Sequence, residues 1–168
     1  MNKLPDKPSE LLILAMEDLE KVEKSDHLYT IDMGSWVEHD YYDGKCAVCH
    51  AGAVMVGTLG ADIKKSYDPS DFDPDTKRKL RAIESIRRGD IDAFLYDLKI
   101  ENIPEGLKES YYSIHRTHAF YSCFEDSDFY DGYAENLDEL SKSNRPEYKA
   151  IYRNWITSFI GILQAEGL

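Results

Sequence analysis

Basic residues are scarce in this chain: 20 Lys and Arg stand against 32 Asp and Glu among 168 residues, a formal charge of -12 at neutral pH. A field this negative repels phosphate backbones, so direct nucleic-acid binding is not expected. Cysteine is equally sparse, with Cys46, Cys49 and Cys123 too few for a disulfide scaffold and expected as thiols or ligands. No apolar run approaches the roughly 20 residues that span a bilayer. The first residues hold only Leu11 to Met16 before Glu17 and Asp18 interrupt, shorter than a signal-peptide core and without a small-residue cleavage site after it. A cytoplasmic protein that does not contact membrane is expected. Three motifs are missing as well: G-x-x-x-x-G-K-[ST], a G-x-G-x-x-G opening a βαβ unit, and a G-x-S-x-G elbow. The common nucleotide and hydrolase chemistries therefore have no motif to rest on.

What is present is a foldable composition, 42% hydrophobic with 12 Tyr, 6 Phe and 2 Trp, whereas disordered chains are poor in aromatics. The length suits one domain over 1–168, with 1–8 extended, and no repeat or linker divides it. The patterning predicts an α+β domain, predominantly helical, with a small β-hairpin or short sheet. Ser9 is the expected N-cap of a first helix over 9–25, in which Leu12, Ala15, Met16, Leu19 and Val22 keep helical spacing. Short strands are expected between Leu28 and an Asp43-Gly44 turn. The nearly uncharged run from Cys46 to Leu59 reads as a central buried helix whose Ala and Gly let another backbone approach closely. Asp73-Pro74 opens a helix with a Leu80, Ile83 and Ile86 stripe, closed at Gly89. Asp90 caps the next one, with Ile91, Phe94, Leu95 and Leu98 at i, i+3, i+4 and i+7. The segment 102–124 fits helix or strand. A long amphipathic helix follows Pro146 and is expected to pack on the Cys46 helix.

The sharpest local pattern is Cys46-Ala47-Val48-Cys49-His50, which matches the C-x-x-C-H haem-attachment motif. Attachment of this kind normally follows export, so haem is the remote alternative and no cofactor is expected. Zinc is the nearer alternative, as a metal-dependent enzyme or a zinc-stabilised domain, with Cys46 and Cys49 joined by His115 and His118 or by Cys123. Arg116 between the histidines adds unwanted positive charge. A redox dithiol lacks its βαβ surroundings. The plainest reading is two small apolar thiols in a core.

Asp32, Trp36, Glu38, His39, Asp40 and Asp43 gather acid, base and indole into twelve residues: an acid–base pair, a cation site of oxygen ligands, or an exposed turn anchored by Trp36. Two further loops interleave acids with aromatics. One carries Tyr67, Asp68, Asp71, Phe72 and Asp73, and the other Asp126, Asp128, Phe129, Tyr130, Asp131 and Tyr133. The second fails the EF-hand register, because Phe129 falls where a calcium ligand belongs. Aromatics are over-represented at protein interfaces, so these loops form the expected binding surface.

Trp36, the Asp43-Gly44 turn and Cys49-His50-Ala51-Gly52-Ala53-Val54 together resemble a group of small bacterial and phage proteins. Those proteins carry a C-x-x-G-A-aliphatic helix after a tryptophan and a D-x-x-G-like turn. The likeness covers about thirty residues, Tyr29 to Gly57, and implies a packing helix with no catalytic residues. The functional expectation is accordingly a small acidic accessory protein, of phage or mobile-element type, that binds a protein with a basic surface. No catalytic residue is assigned.

Overall fold

The fold is that of a computed structural model in which residues 3–31, 36–40, 44–115 and 146–168 are described, the side chains of 115 and 146–152 excepted. It is a predominantly helical α+β domain, with six α-helices and a three-stranded sheet among the described residues.

Helix α1 spans Pro8–Glu23 and buries Leu11, Leu12, Ala15, Leu19 and Val22 on one face. Its N-cap is Lys7, not the expected Ser9, because Pro8 takes the first helical position, where a missing N–H costs nothing. Ser9 is drawn into the helix and its hydroxyl donates to the Leu168 carbonyl.

Strands β1 (Tyr29–Ile31), β2 (Val37–His39) and β3 (Cys46–Val48) lie in the order β1-β3-β2. The middle strand runs parallel to β1, with Tyr29 beside Cys46, and antiparallel to β2, with His39 beside Cys46. The β2–β3 hairpin closes through Asp40 and Lys45, with Gly44 at φ +72° supplying the left-handed turn residue.

The helix expected from Cys46 is thus corrected at its start. Cys46–Val48 form the central strand, and helix α2 covers only His50–Gly57. A short uncharged run buried on all sides has no period to separate strand from helix, and pairing with neighbours on both edges decided for strand. Within α2 every residue from His50 to Met55 is buried, so the expected central position holds. Its glycines allow the close approaches: a Cβ on Gly52 would lie 1.6 Å from the Trp36 carbonyl oxygen, and one on Gly57 2.6 Å from the Asp18 carboxyl carbon.

Helix α3 (Pro74–Arg87) begins at the Asp73 cap with Pro74 first and ends on Gly89 at φ +82°. Helix α4 (Ile91–Asp97) is capped by Asp90, whose carboxylate accepts from the Ala93 N–H, and it buries Ile91, Phe94 and Leu95. Of the segment 102–124, which fits helix or strand, Leu107–His115 form helix α5, and 116–124 lie outside the described residues. Helix α6, Pro146–Ala165, packs on α1 and α5 and not on α2 as expected, because α1, α3 and the strands already cover α2. Phe159 of α6 meets Phe94 edge-on at 5.9 Å and Tyr111 at 4.9 Å, and Trp155 stands 6.0 Å from Tyr111.

Candidate functional site

The turn from β3 into α2 brings Cys49 to the N-cap of α2, where its sulfur accepts from the Gly52 N–H at 3.3 Å. Both thiols are free and buried. Burial pushes the Cys49 thiol far above its ordinary pKa, and the negative charge of Glu84 adds to the shift. Burial raises the Cys46 thiol too. Protonated, inaccessible thiols are poor nucleophiles. His50, the first residue of α2, is wholly buried. Burial pushes its pKa down to about 3, the Arg87 charge adds to this, and a hydrogen bond to the Ala15 backbone opposes it. The C-x-x-C-H residues are therefore held inside the protein as a neutral imidazole and two neutral thiols. Haem attachment needs both thiols and the imidazole on one open face, and this packing offers none.

Among the described residues no group of three or more His, Cys, Asp or Glu is assembled to hold a metal ion. The zinc alternative invokes His115, whose side chain lies outside the described residues, together with His118 and Cys123, which also do.

Four buried charges, Glu84 with Arg87, Asp18 and Lys79, lie around this core. Glu84 accepts from Arg87 Nε at 2.7 Å and from Arg88 Nε at 3.2 Å, and its charge and that of Arg87 reach Cys49 and His50. Asp18 accepts from the Thr58 hydroxyl at 2.6 Å and from Lys21 at 2.8 Å, joining α1 to the end of α2. Lys79 donates to the Leu4 carbonyl at 3.0 Å and to Asp6 at 2.6 Å, and pairs with Asp75 at 2.9 Å. This fastens the segment before α1 to α3 and, through the hydrogen bond from Lys79, holds the Asp6 carboxyl down at about 2. A faint signal existed for one of them: Glu84, Arg87 and Arg88 stand at i, i+3 and i+4, the spacing of neighbours on a helix face. Each charge has partners, as charges sealed from water require. Their chemistry is to lock helices together.

Of the cluster before α2, Trp36, Glu38, His39 and Asp40 are among the described residues. Glu38 and His39 are consecutive in β2, so they point to opposite sheet faces. Trp36 packs half-buried on the core. Asp32 and Asp43 lie outside the described residues.

Of the two acidic aromatic loops, the first is described. Asp68 accepts from the Ser70 N–H and Asp71 from the Asp68 N–H, making a capping box around the single turn Pro69–Asp71. Asp73 accepts from the N–H groups of Asp75 and Thr76, both at 3.1 Å. Phe72 is buried, with the half-buried Tyr67 ring 6.2 Å away, and the Tyr67 backbone bridges to Val37. This loop shows its carboxylates to solvent and turns its aromatics inward, so Phe72 is not an exposed anchor. Asp126, Asp128, Phe129, Tyr130, Asp131 and Tyr133 lie outside the described residues. Large apolar side chains that do reach solvent among the described residues are Leu28, Tyr96, Ile103 and Tyr112.

The chain matches no protein-family model, no curated protein and no solved structure. Among the described residues no helix is long and apolar enough to cross a membrane.

Proposed function

We propose that the chain is a small acidic accessory protein, of phage or mobile-element type, that acts by binding another protein through its negative, aromatic-bearing surface. The observation that carries this reading is the contrast between inside and outside. Cys49, His50, Glu84 and Arg87 are buried and bound to one another's surroundings, while a net charge of -12 remains to face solvent and partners. Such a charge speeds encounter with a basic surface and makes the on-rate depend on salt. Inhibition of a nucleic-acid-handling enzyme is the sharpest form of the idea, because such an enzyme offers a basic groove.

The test is capture of nuclease-treated host proteins on the immobilised chain at about 50 mM and about 200 mM salt, followed by kinetics with the purified partner. The reading expects a partner with a basic surface whose association rate falls steeply as salt rises. Retention of nothing at either salt, or association indifferent to salt, overturns it.

A further inference from the structure

We propose that the face shared by α4 and α5, built on Tyr96 and Tyr112 around the Asp92–Lys108 ion pair, is where the protein docks onto a Lys- and Arg-rich surface of another protein. The inference rests on the binding reading above and assigns that binding to a place.

Three of the four large apolar side chains exposed among the described residues fall between Tyr96 and Tyr112, and Tyr96 is 83% exposed. Their neighbours are the reverse: Phe94 and Tyr111 are fully buried. Each helix therefore has a packed inner face that sets which way its outward tyrosine leaves the backbone. Tyr112 is braced edge-on by the Tyr111 ring at 5.5 Å, and Tyr111 is itself held by Phe159 and by its hydroxyl donating to the Ile86 carbonyl at 3.3 Å. An aromatic held this way loses little freedom on binding.

The two tyrosines belong to one surface. The Asp92–Lys108 ion pair joins α4 to α5. Tyr96 stands four residues after Asp92 and Tyr112 four after Lys108, so each tyrosine shares the helix face of its member of the pair.

Charge names the occupant. Between Asp90 and Tyr112 the chain carries Asp90, Asp92, Asp97, Glu101, Glu105 and Glu109 against Lys99 and Lys108, and from α3 Arg78, already paired with Asp75, and Arg81 also reach Asp97. Lys108 is already engaged by Asp92. The surround repels nucleic acid and a second copy of this chain, and attracts a cationic protein surface. Lys and Arg side chains can pair with the carboxylates and lie over the tyrosine rings, with Arg the better at stacking.

The test uses an octa-arginine peptide as the probe on the full chain, read by amide shift perturbation and by titration at low salt. Shifts should centre on 90–112. Tyr96→Ala and Tyr112→Ala should each weaken binding about two- to fivefold and together about tenfold, with Leu28→Ala unchanged. The exposed tyrosines can be removed without unfolding the protein, which circular dichroism checks. Shifts centred elsewhere, or less than about a twofold loss in the double variant, overturn this docking face and leave the binding reading standing. No binding of octa-arginine at all overturns both.

Discussion

Replacing Gly52 by alanine tests the packing around the C-x-x-C-H segment most directly. The backbone of Gly52 is helical and has no positive φ, so alanine is permitted there in conformation and the cost is steric alone. Its Cβ would lie 1.6 Å from the Trp36 carbonyl oxygen and 2.8 Å from the carbonyl carbon. Ordinary contact begins near about 3.4 Å, so the strand entry or the helix must move by roughly 1.8 Å. Both are held. Val37, next to Trp36, exchanges hydrogen bonds with Tyr67 at 2.9 and 3.3 Å and pairs with Val48, while α2 is wedged between α1 and α3. Forced overpacking costs about 1–3 kcal/mol, and loosening those hydrogen bonds adds about 1. The helix-propensity gain of alanine over glycine returns about 1 kcal/mol. The net loss expected is about 1–3 kcal/mol, a fall in Tm of about 6 °C for a domain of this size. Gly161, inside α6 with nothing within 4 Å of its added Cβ, is the matched control. Gly161→Ala should stabilise by about 0.5–1 kcal/mol. Urea unfolding followed by circular dichroism reads both. A Gly52→Ala variant as stable as wild type would refute the reasoning, since the Trp36 carbonyl could not then sit against α2.

Two other expectations concern the same buried groups. The folded pKa of His50, about 3, lies below its ordinary value of 6.5, so the neutral ring stabilises fully above that value and less as pH falls toward the folded one. By about pH 4.5 the loss should reach roughly 3 kcal/mol. His50→Asn keeps a donor for Ala15 without a group that titrates, and its stability should fall less steeply between about pH 7 and 4.5; parallel profiles would show that His50 does not titrate inside the core. For the thiols, a disulfide reagent at about pH 8 should label at most one of the three cysteines in the native protein and all three in denaturant. Prompt native labelling at Cys46 or Cys49 would contradict their burial.

Helix boundaries were legible wherever local chemistry fixes them. Asp73-Pro74 and Asp90 cap α3 and α4, and Gly89 takes a left-handed conformation after α3, because carboxylate, proline ring and absent Cβ each meet a need of the helix end itself. The errors fall where tertiary surroundings decide. Ser9 is the one local exception: it has the chemistry of a cap, but the proline before it claimed the first helical position. Cys46–Val48 has no charge or period of its own, and its strand partners lie many residues away. The seat of α6 could not be read either, because an apolar stripe states how much a helix buries and not against which neighbour.

The same distinction separates the two aromatic surfaces. Composition drew attention to Phe72 because acids flank it on both sides. Those acids are N-terminal caps, and a chain that bends around a capped turn between prolines can point its aromatic inward while its carboxylates stay wet. Tyr96 sits in a less conspicuous stretch, yet its exposure follows from a pattern that was readable: Ile91, Phe94, Leu95 and Leu98 define the buried stripe of α4, and all four are buried. At about 100° per residue, position 96 falls outside that stripe. An aromatic that breaks a well-formed burial period is thus a firmer sign of an outward anchor than one surrounded by charges. Periodicity reports where a side chain points, while flanking charge reports only that water is near.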